Sequence, residues 1–117
     1  MKSIATPALN LDESLVHKIL VLEDDIGINK LITMKLREIN LAVVTFTTPD
    51  KAIDYLKNET DISLILMDYK LGNIDAFEVI EEFDKLKINT PFIIMTCHGD
   101  EKLAVKFMRT GAMDYIG

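Results

Sequence analysis

Three short stretches of this 117-residue chain place side chains that could bind a cation or a phosphoryl group directly after runs of apolar residues. Glu23, Asp24 and Asp25 follow the first run, Asp68 follows a later one, and Thr96 follows a third. Clustered carboxylates repel one another and favour a hard dication such as Mg²⁺, which prefers oxygen ligands. A carboxylate beside that ion can attack phosphorus and form an aspartyl phosphate, while a nearby hydroxyl contacts a phosphoryl oxygen. The residue types therefore predict phosphoryl chemistry, provided that the fold brings the three stretches together.

Each of these residues has a simpler interpretation when it is taken alone. An acid after a strand is commonly a helix N-cap or a solvated loop residue, and Asp25 fits that role. Thr96 alone would be a turn residue, and His98 a solvated loop histidine. Cys97 would be a small buried hydrophobe, since no cation-rich setting surrounds it. The combination of all three stretches at predicted strand ends favours a functional site.

The elements that would position these residues are short apolar runs that alternate with amphipathic segments, a rhythm typical of βα units around a parallel sheet. The pattern predicts an α/β fold with a doubly wound sheet and right-handed crossovers. The predicted strands are residues 19–22, 42–46, 62–67, 92–95 and 113–116, and the predicted helices lie between them. Reactive groups in such sheets collect at the carboxyl ends of the strands.

Capping residues predict where the four helices begin and end. The first helix is predicted at residues 25–39, with Asn40 as a left-handed stop. Thr48 would cap a helix at residues 49–58, and the third helix would start near Asp75. Asp100 would cap the last helix, which Gly111 would end.

Composition narrows the class of protein. The chain is 49% hydrophobic and 27% charged, as expected of one compact soluble domain. Its net charge of −6 argues against nucleic-acid binding, which needs clustered Lys and Arg. One cysteine cannot form an internal disulfide and fits a reducing compartment. No apolar run approaches the ~20 residues of a membrane span, and the start carries no secretory signal pattern. We therefore expect a cytoplasmic domain that contacts neither nucleic acid nor membrane.

The strand-end motifs resemble those of receiver domains of two-component response regulators. VLEDD at residues 21–25 is similar to the family's acidic pair after the first strand, and LILMDYKLGNIDAFE at residues 64–78 to the segment around its phosphoacceptor. FIIMT at residues 92–96 and GAMDYI at residues 111–116 resemble the fourth strand and the approach to the fifth. Each motif is weak alone, whereas four in order at the family's spacing are highly specific. The resemblance predicts a receiver domain at residues 17–117 after an N-terminal tail or linker at residues 1–16.

The resemblance implies a flavodoxin-like five-stranded parallel sheet of order 2-1-3-4-5 and a phosphorylation-dependent signalling switch that is not a turnover enzyme. Asp68 would be the phosphoacceptor. Asp24 and Asp68 would bind Mg²⁺ directly, Glu23 would bind it through water, and the main-chain carbonyl of Lys70 would supply another ligand. Mn²⁺ or Ca²⁺ could substitute for Mg²⁺.

The family also implies a conformational relay. Phosphorylated Asp68 would draw Thr96 inward, and Tyr115 would pack into the vacated space and change an output surface. The side chains of Lys70 and His98 follow Asp68 and Thr96 by two residues and would tune the loss of the phosphoryl group. A solvated loop lysine is an equally good interpretation of Lys70.

The same resemblance implies partners. A histidine kinase or a phosphotransfer protein would supply the phosphoryl group. An effector domain in a longer parent chain, or a separate target protein, would receive the signal. Homodimerisation stays open.

Three departures from the family's pattern affect this interpretation. Gly72 stands where Pro is usual and Ala76 where Gly is usual, and both changes concern loop geometry. The family's Lys that pairs with the phosphoryl group would follow Gly117 at once. We therefore expect a domain truncated at its C-terminal end, without the fifth helix, that could phosphorylate poorly and that bares a face of the sheet beside the first helix.

Two other functions remain as alternatives, and a third is disfavoured by the acids at residues 23–25. A receiver-like interaction module that takes no phosphate would fit a natural chain without that Lys, although the intact acids argue against it. A Mg²⁺ phosphatase or phosphotransferase with an Asp nucleophile usually needs a second acid two residues later, where this chain has Lys70. A flavin-binding protein of this topology would need a phosphate-cradling loop in place of the acids at residues 23–25.

Overall fold

The computed structural model describes residues 17–97 and 99–117, in which strands and helices alternate. The strands are β1 (Lys18–Leu22), β2 (Ala42–Phe46), β3 (Ile62–Asp68), β4 (Lys70–Leu71), β5 (Ile74–Asp75), β6 (Phe92–Met95) and β7 (Asp114–Ile116). The helices are α1 (Ile26–Glu38), α2 (Pro49–Asn58), α3 (Ala76–Leu86) and α4 (Glu101–Arg109). The predicted tail at residues 1–16 and His98 lie outside the described residues. No helix in the described ranges is long and apolar enough to cross a membrane.

Five strands form one parallel sheet in the order β2-β1-β3-β6-β7. Numbered along the chain without the short β4–β5 hairpin, this is the predicted order 2-1-3-4-5, and the flavodoxin-like fold is confirmed. The order reverses at β1, because β2 lies on one side of it and β3 on the other. Such a reversal opens a crevice at the carboxyl ends of the strands.

Strand β1 is apolar because both of its faces are covered, whereas β3 is buried on the face of Ile65 and Met67 and half-buried on the face of Leu64 and Leu66. Leu20, Val21 and Leu22 of β1 are fully buried, as are Ile65 and Met67 of β3. A strand buried on both faces cannot alternate polar and apolar residues, which explains the continuous apolar run of β1.

Aspartates begin three of the four described helices. The carboxylates of Asp25, Asp75 and Asp100 each accept a hydrogen bond from the backbone N–H three residues later, at 2.8–3.2 Å. Thr48 occupies the N-cap of α2 but makes no side-chain capping bond. The left-handed backbone predicted at Asn40 is present, with a φ of 66°. Local capping chemistry therefore places the helix ends within a residue or two of the prediction.

Helix α1 turns polar side chains toward the sheet. Ile28 and Leu31, whose spacing predicted this helix, are 41% and 50% exposed. The buried side chains of α1 are instead Asn29 and Thr33. The apolar spacing correctly predicts a helix, but the side that packs on the sheet is the polar one.

Candidate functional site

Carboxylates from two neighbouring strand ends meet at the carboxyl edge of the sheet. Glu23 and Asp24 directly follow β1, and Asp68 is the last residue of β3. β1 and β3 are hydrogen-bonded neighbours, with Leu22 beside Met67, and this pairing brings the acids together. One oxygen from each of the three carboxylates lies within 4.8 Å of the others. This oxygen donor set fits the ligand preference of a hard dication such as Mg²⁺.

Glu23 is the buried member of this set. It is 3% exposed, whereas Asp24 is exposed and Asp68 is half-buried. The N–H of Glu23 donates to the carbonyl of Phe46 at 3.1 Å, and its carboxylate accepts from the N–H of Asp25 at 3.1 Å. Glu23 is therefore held firmly, while Asp68 keeps access to solvent.

The electrostatics of the site disfavour three ionised carboxylates. The pKa of Glu23 is raised to about 7, chiefly by burial and also by the charge of Asp68, against the opposing effect of the Asp25 N–H. Burial also raises the pKa of Asp68, and the charge of Asp24 adds to this effect. A bound dication would neutralise the repulsion that raises both values.

Thr96 lies beside the acids at the end of the next strand. Asp68 pairs with Met95 in the ladder between β3 and β6, and Thr96 follows Met95. The N–H of Thr96 donates to the carbonyl of Ile116 at 3.0 Å, which ties this loop to β7. Glu23, Asp68 and Thr96 border one groove, which continues over an apolar floor formed by Ile28, Ile32, Leu66, Met95 and Ile116. The structure thus brings together the three stretches singled out in the sequence.

Tyr115 belongs to an aromatic cluster that reaches back to the site. Its ring stacks on Phe107 with centroids 5.9 Å apart, and Phe107 meets Tyr69 edge-on at 5.5 Å. Phe77 also stacks on Phe107, with ring centroids 4.0 Å apart. Tyr69 directly follows Asp68. The buried ring of Phe107 therefore connects the loop after Asp68 with Tyr115. No pattern in the sequence indicates this connection.

The Tyr115 hydroxyl is enclosed. Its oxygen is buried and has no hydrogen-bond partner among residues 17–97 and 99–117. Burial raises the pKa of Tyr115, the carboxylate of Asp100 raises it further, and the nearby main-chain N–H of Asp100 opposes this shift. The ring thus occupies an inward position beneath the loop that follows β6.

Lys70 begins the short β4–β5 hairpin after Asp68. Its ammonium lies over the ring of Tyr69, 4.7 Å from the centroid. Gly72 turns the hairpin with a φ of 76°, which a proline ring excludes, so the departure from the family's usual Pro has a local reason. The proposed metal contact of the Lys70 carbonyl and the tuning role of its side chain stay predictions. His98 cannot be placed, because it lies outside the described residues.

Asn29 is a site neighbour that the sequence analysis did not single out. Its side-chain amide donates a hydrogen bond to the carbonyl of Glu23 at 3.1 Å. The sequence did contain an indication: Asn29 and Thr33 are uncharged polar residues four positions apart in the helix, so they share a face.

The sheet order and the acids at its carboxyl edge define a flavodoxin-like α/β domain with an acidic strand-end site. The chain matches the family model of the response regulator receiver domain over residues 19–117 and belongs to that family. The resemblance stated from its motifs is confirmed.

Known proteins agree with this assignment. The chain is 34% identical over 107 residues to the transcriptional regulatory protein ResD of Bacillus subtilis, covering 91% of this chain and 43% of ResD. It is 30% identical over 98 residues to nodulation protein W of Bradyrhizobium diazoefficiens, covering 84% of this chain and 43% of that protein. The chain thus spans less than half the length of these two relatives. A response regulator receiver domain protein from Clostridium thermocellum superposes with a TM-score of 0.76 at 27% identity, covering 86% of this chain and 80% of that one.

Proposed function

We propose that this domain is a signalling switch that takes a phosphoryl group on Asp68 in a Mg²⁺-dependent reaction and later loses it, without turning over a substrate. The observation that supports this most directly is the convergence of the Glu23, Asp24 and Asp68 carboxylates within 4.8 Å at the carboxyl edge of the sheet. Membership in the receiver family adds support, since the motifs around these residues resemble that family's acidic pair and phosphoacceptor segment.

The half-buried position of Asp68 suits it to act as a nucleophile. A carboxylate oxygen of Asp68 would form the new bond to phosphorus while the bond from phosphorus to the donor's imidazole nitrogen breaks, and the leaving imidazole would take up a proton. Glu23, Asp24, Asp68 and the carbonyl of Lys70 would hold Mg²⁺. The ion, when bound, would neutralise charge on the acids and on the phosphoryl oxygens. Thr96 would hydrogen-bond one of those oxygens.

The proposed relay uses the loop between β6 and α4. Movement of Thr96 toward the phosphoryl group would shift the loop against which the Tyr115 hydroxyl packs. The ring stacking between Tyr115 and Phe107 would carry that shift toward α4. The β6–α4–β7 surface is therefore the proposed output surface.

The proposed partners follow from the family. A histidine kinase or a phosphotransfer protein would donate the phosphoryl group in the cytoplasm. The signal would pass to an effector domain in a longer parent chain or to a separate target protein. ResD is a transcriptional regulatory protein of which this chain covers 43%, and that difference in length leaves room for an effector domain.

Intact mass after incubation with acetyl phosphate, with and without Mg²⁺, tests the proposal. We expect one Mg²⁺-dependent phosphoryl adduct that disappears in Asp68→Asn. Asp84→Asn is the matched control, because Asp84 is an exposed acid on α3. If neither this chain nor a chain extended past Gly117 forms the adduct, the phosphoacceptor proposal fails and the interaction module takes its place.

A further inference from the structure

Asn29 makes a complete set of hydrogen bonds in a buried position. It is 4% exposed, and its amide nitrogen donates to the carbonyls of Glu23 at 3.1 Å and Phe46 at 3.2 Å. Its amide oxygen accepts from the hydroxyl of Thr45 and, at 3.4 Å, from that of Thr33. An asparagine amide has two donor hydrogens and two acceptor lone pairs, so every position is used.

These bonds act on the main chain that carries the acidic site. The ladder between β1 and β2 ends with Leu22 beside Phe46. Glu23 is the next residue, and its N–H donates to the carbonyl of Phe46. Asn29 then bonds both that carbonyl and the carbonyl of Glu23, so it joins the two strand ends just where the strands separate.

We propose that Asn29 is a positioning residue for the candidate metal site: by holding the main chain at Glu23, it sets the directions of the Glu23 and Asp24 carboxylates relative to Asp68 without touching the ion. This inference rests on the proposed function. Mg²⁺ requires nearly ideal octahedral geometry, so a small displacement of its acids weakens binding. Loss of a partner that orients metal ligands typically lowers metal affinity by about 10–100-fold.

The simpler explanation is that Asn29 only satisfies polar groups between α1 and the sheet. In that case its removal would lower stability and leave metal affinity unchanged. Thr33 offers a matched control, because it lies on the same buried side of α1 and contacts the same amide. Thr33→Val removes one bond to Asn29 but leaves both bonds to the strand-end carbonyls in place.

The test compares wild type, Asn29→Ala and Thr33→Val by three measurements. These are the Mg²⁺ dissociation constant from calorimetry, the hydrogen-exchange rate of the Glu23 amide from NMR, and the thermal midpoint. We expect Asn29→Ala to raise the dissociation constant about tenfold or more. It should also accelerate exchange at Glu23 beyond what its loss of global stability explains. Thr33→Val should lower the midpoint and keep the wild-type dissociation constant.

An unchanged dissociation constant in a folded Asn29→Ala would overturn the inference, and so would an equal rise in Thr33→Val. If Asn29→Ala does not fold, Asn29→Leu decides, because leucine fills nearly the same space but cannot donate to the carbonyls of Glu23 and Phe46. A raised dissociation constant in that variant supports positioning, and an unchanged one overturns it. If the wild-type chain binds no Mg²⁺, both the proposed function and this inference are wrong. If the wild type binds Mg²⁺ and Asn29→Ala has the same dissociation constant, only the inference is wrong.

Discussion

The hydroxyl of Tyr115 fills the space that a side chain at Gly99 would need. An ideal Cβ placed on Gly99 would overlap the Tyr115 hydroxyl oxygen and lie 2.8 Å from Cγ2 of Thr96. The inward position of Tyr115 therefore depends on the absence of a side chain at Gly99. Because Thr96 is in the same loop, the proposed switch residues meet at this glycine.

Gly99→Ala should displace Tyr115 or the loop above it. We expect the Tyr115 ring resonances to lose the ring-current shift from Phe107, and the free energy of unfolding to fall by about 1–3 kcal/mol, as for other overpacked sites. NMR of the aromatic protons and urea unfolding measure the two effects. Gly27→Ala on α1 is the control, since its nearest contact would be Asp25 Oδ1 at 3.3 Å, and it should be neutral or stabilising. Unchanged Tyr115 resonances and stability in Gly99→Ala would contradict the packing described.

Tyr115→Phe should leave the fold as stable as wild type or stabilise it by up to about 1 kcal/mol. A buried hydroxyl without a partner among the described residues incurs a desolvation cost that phenylalanine avoids. Phe107→Ala is the contrasting variant, because it removes a fully buried ring and should cost about 3–5 kcal/mol. Chemical denaturation of both variants provides the comparison. A loss above about 1 kcal/mol in Tyr115→Phe would show that the hydroxyl is bonded after all.

Stability without divalent cations should fall as pH rises from 4.5 to about 7. The pKa of Glu23 is raised in the folded chain, so the folded state binds more protons than the unfolded state across this window, and the slope of unfolding free energy against pH is negative. The stabilisation is complete below pH 4.5 and is lost as pH passes about 7. The raised pKa of Asp68 acts in the same direction.

Thermal midpoints in EDTA, for wild type and Glu23→Gln, measure this effect. The difference between the two proteins should change across the window, because only the wild type titrates at position 23. Mg²⁺ competes with the proton, so added Mg²⁺ should raise the wild-type midpoint more above pH 7 than near pH 4.5. A wild-type midpoint that keeps the same offset from Glu23→Gln at every pH would refute the assignment of the titration to Glu23.

Asp25 should act as a helix cap and not as a metal ligand. Its carboxylate accepts the N–H of Ile28, and it is not a member of the three-carboxylate set. Asp25→Asn keeps a capping oxygen, so Mg²⁺ affinity and stability should stay near wild type, whereas Asp25→Ala should lose about 1 kcal/mol. Calorimetry measures the Mg²⁺ affinity of each variant, and chemical denaturation measures its stability. A several-fold loss of Mg²⁺ affinity in Asp25→Asn would show that Asp25 takes part in metal binding.

Much of this protein could be predicted from sequence because the deciding interactions are local or follow a general rule of topology. Apolar runs locate the strands, and the capping carboxylates of Asp25, Asp75 and Asp100 need only the backbone three residues later. The approach of the acids to Asp68 follows from the rule that parallel strands present their carboxyl ends at one edge. Family motifs supplied the strand order.

Only the tertiary structure decided which side of α1 is buried and what that side does. Apolar spacing shows that Ile28 and Leu31 share a face, but it does not say which neighbour covers that face. Asn29 is buried because its amide meets the carbonyl of Phe46, which is 17 positions away in the chain, together with the carbonyl of Glu23. The fit of Tyr115 against Gly99 has the same origin. Contacts between residues distant in sequence depend on how the elements pack, and no local pattern encodes that geometry.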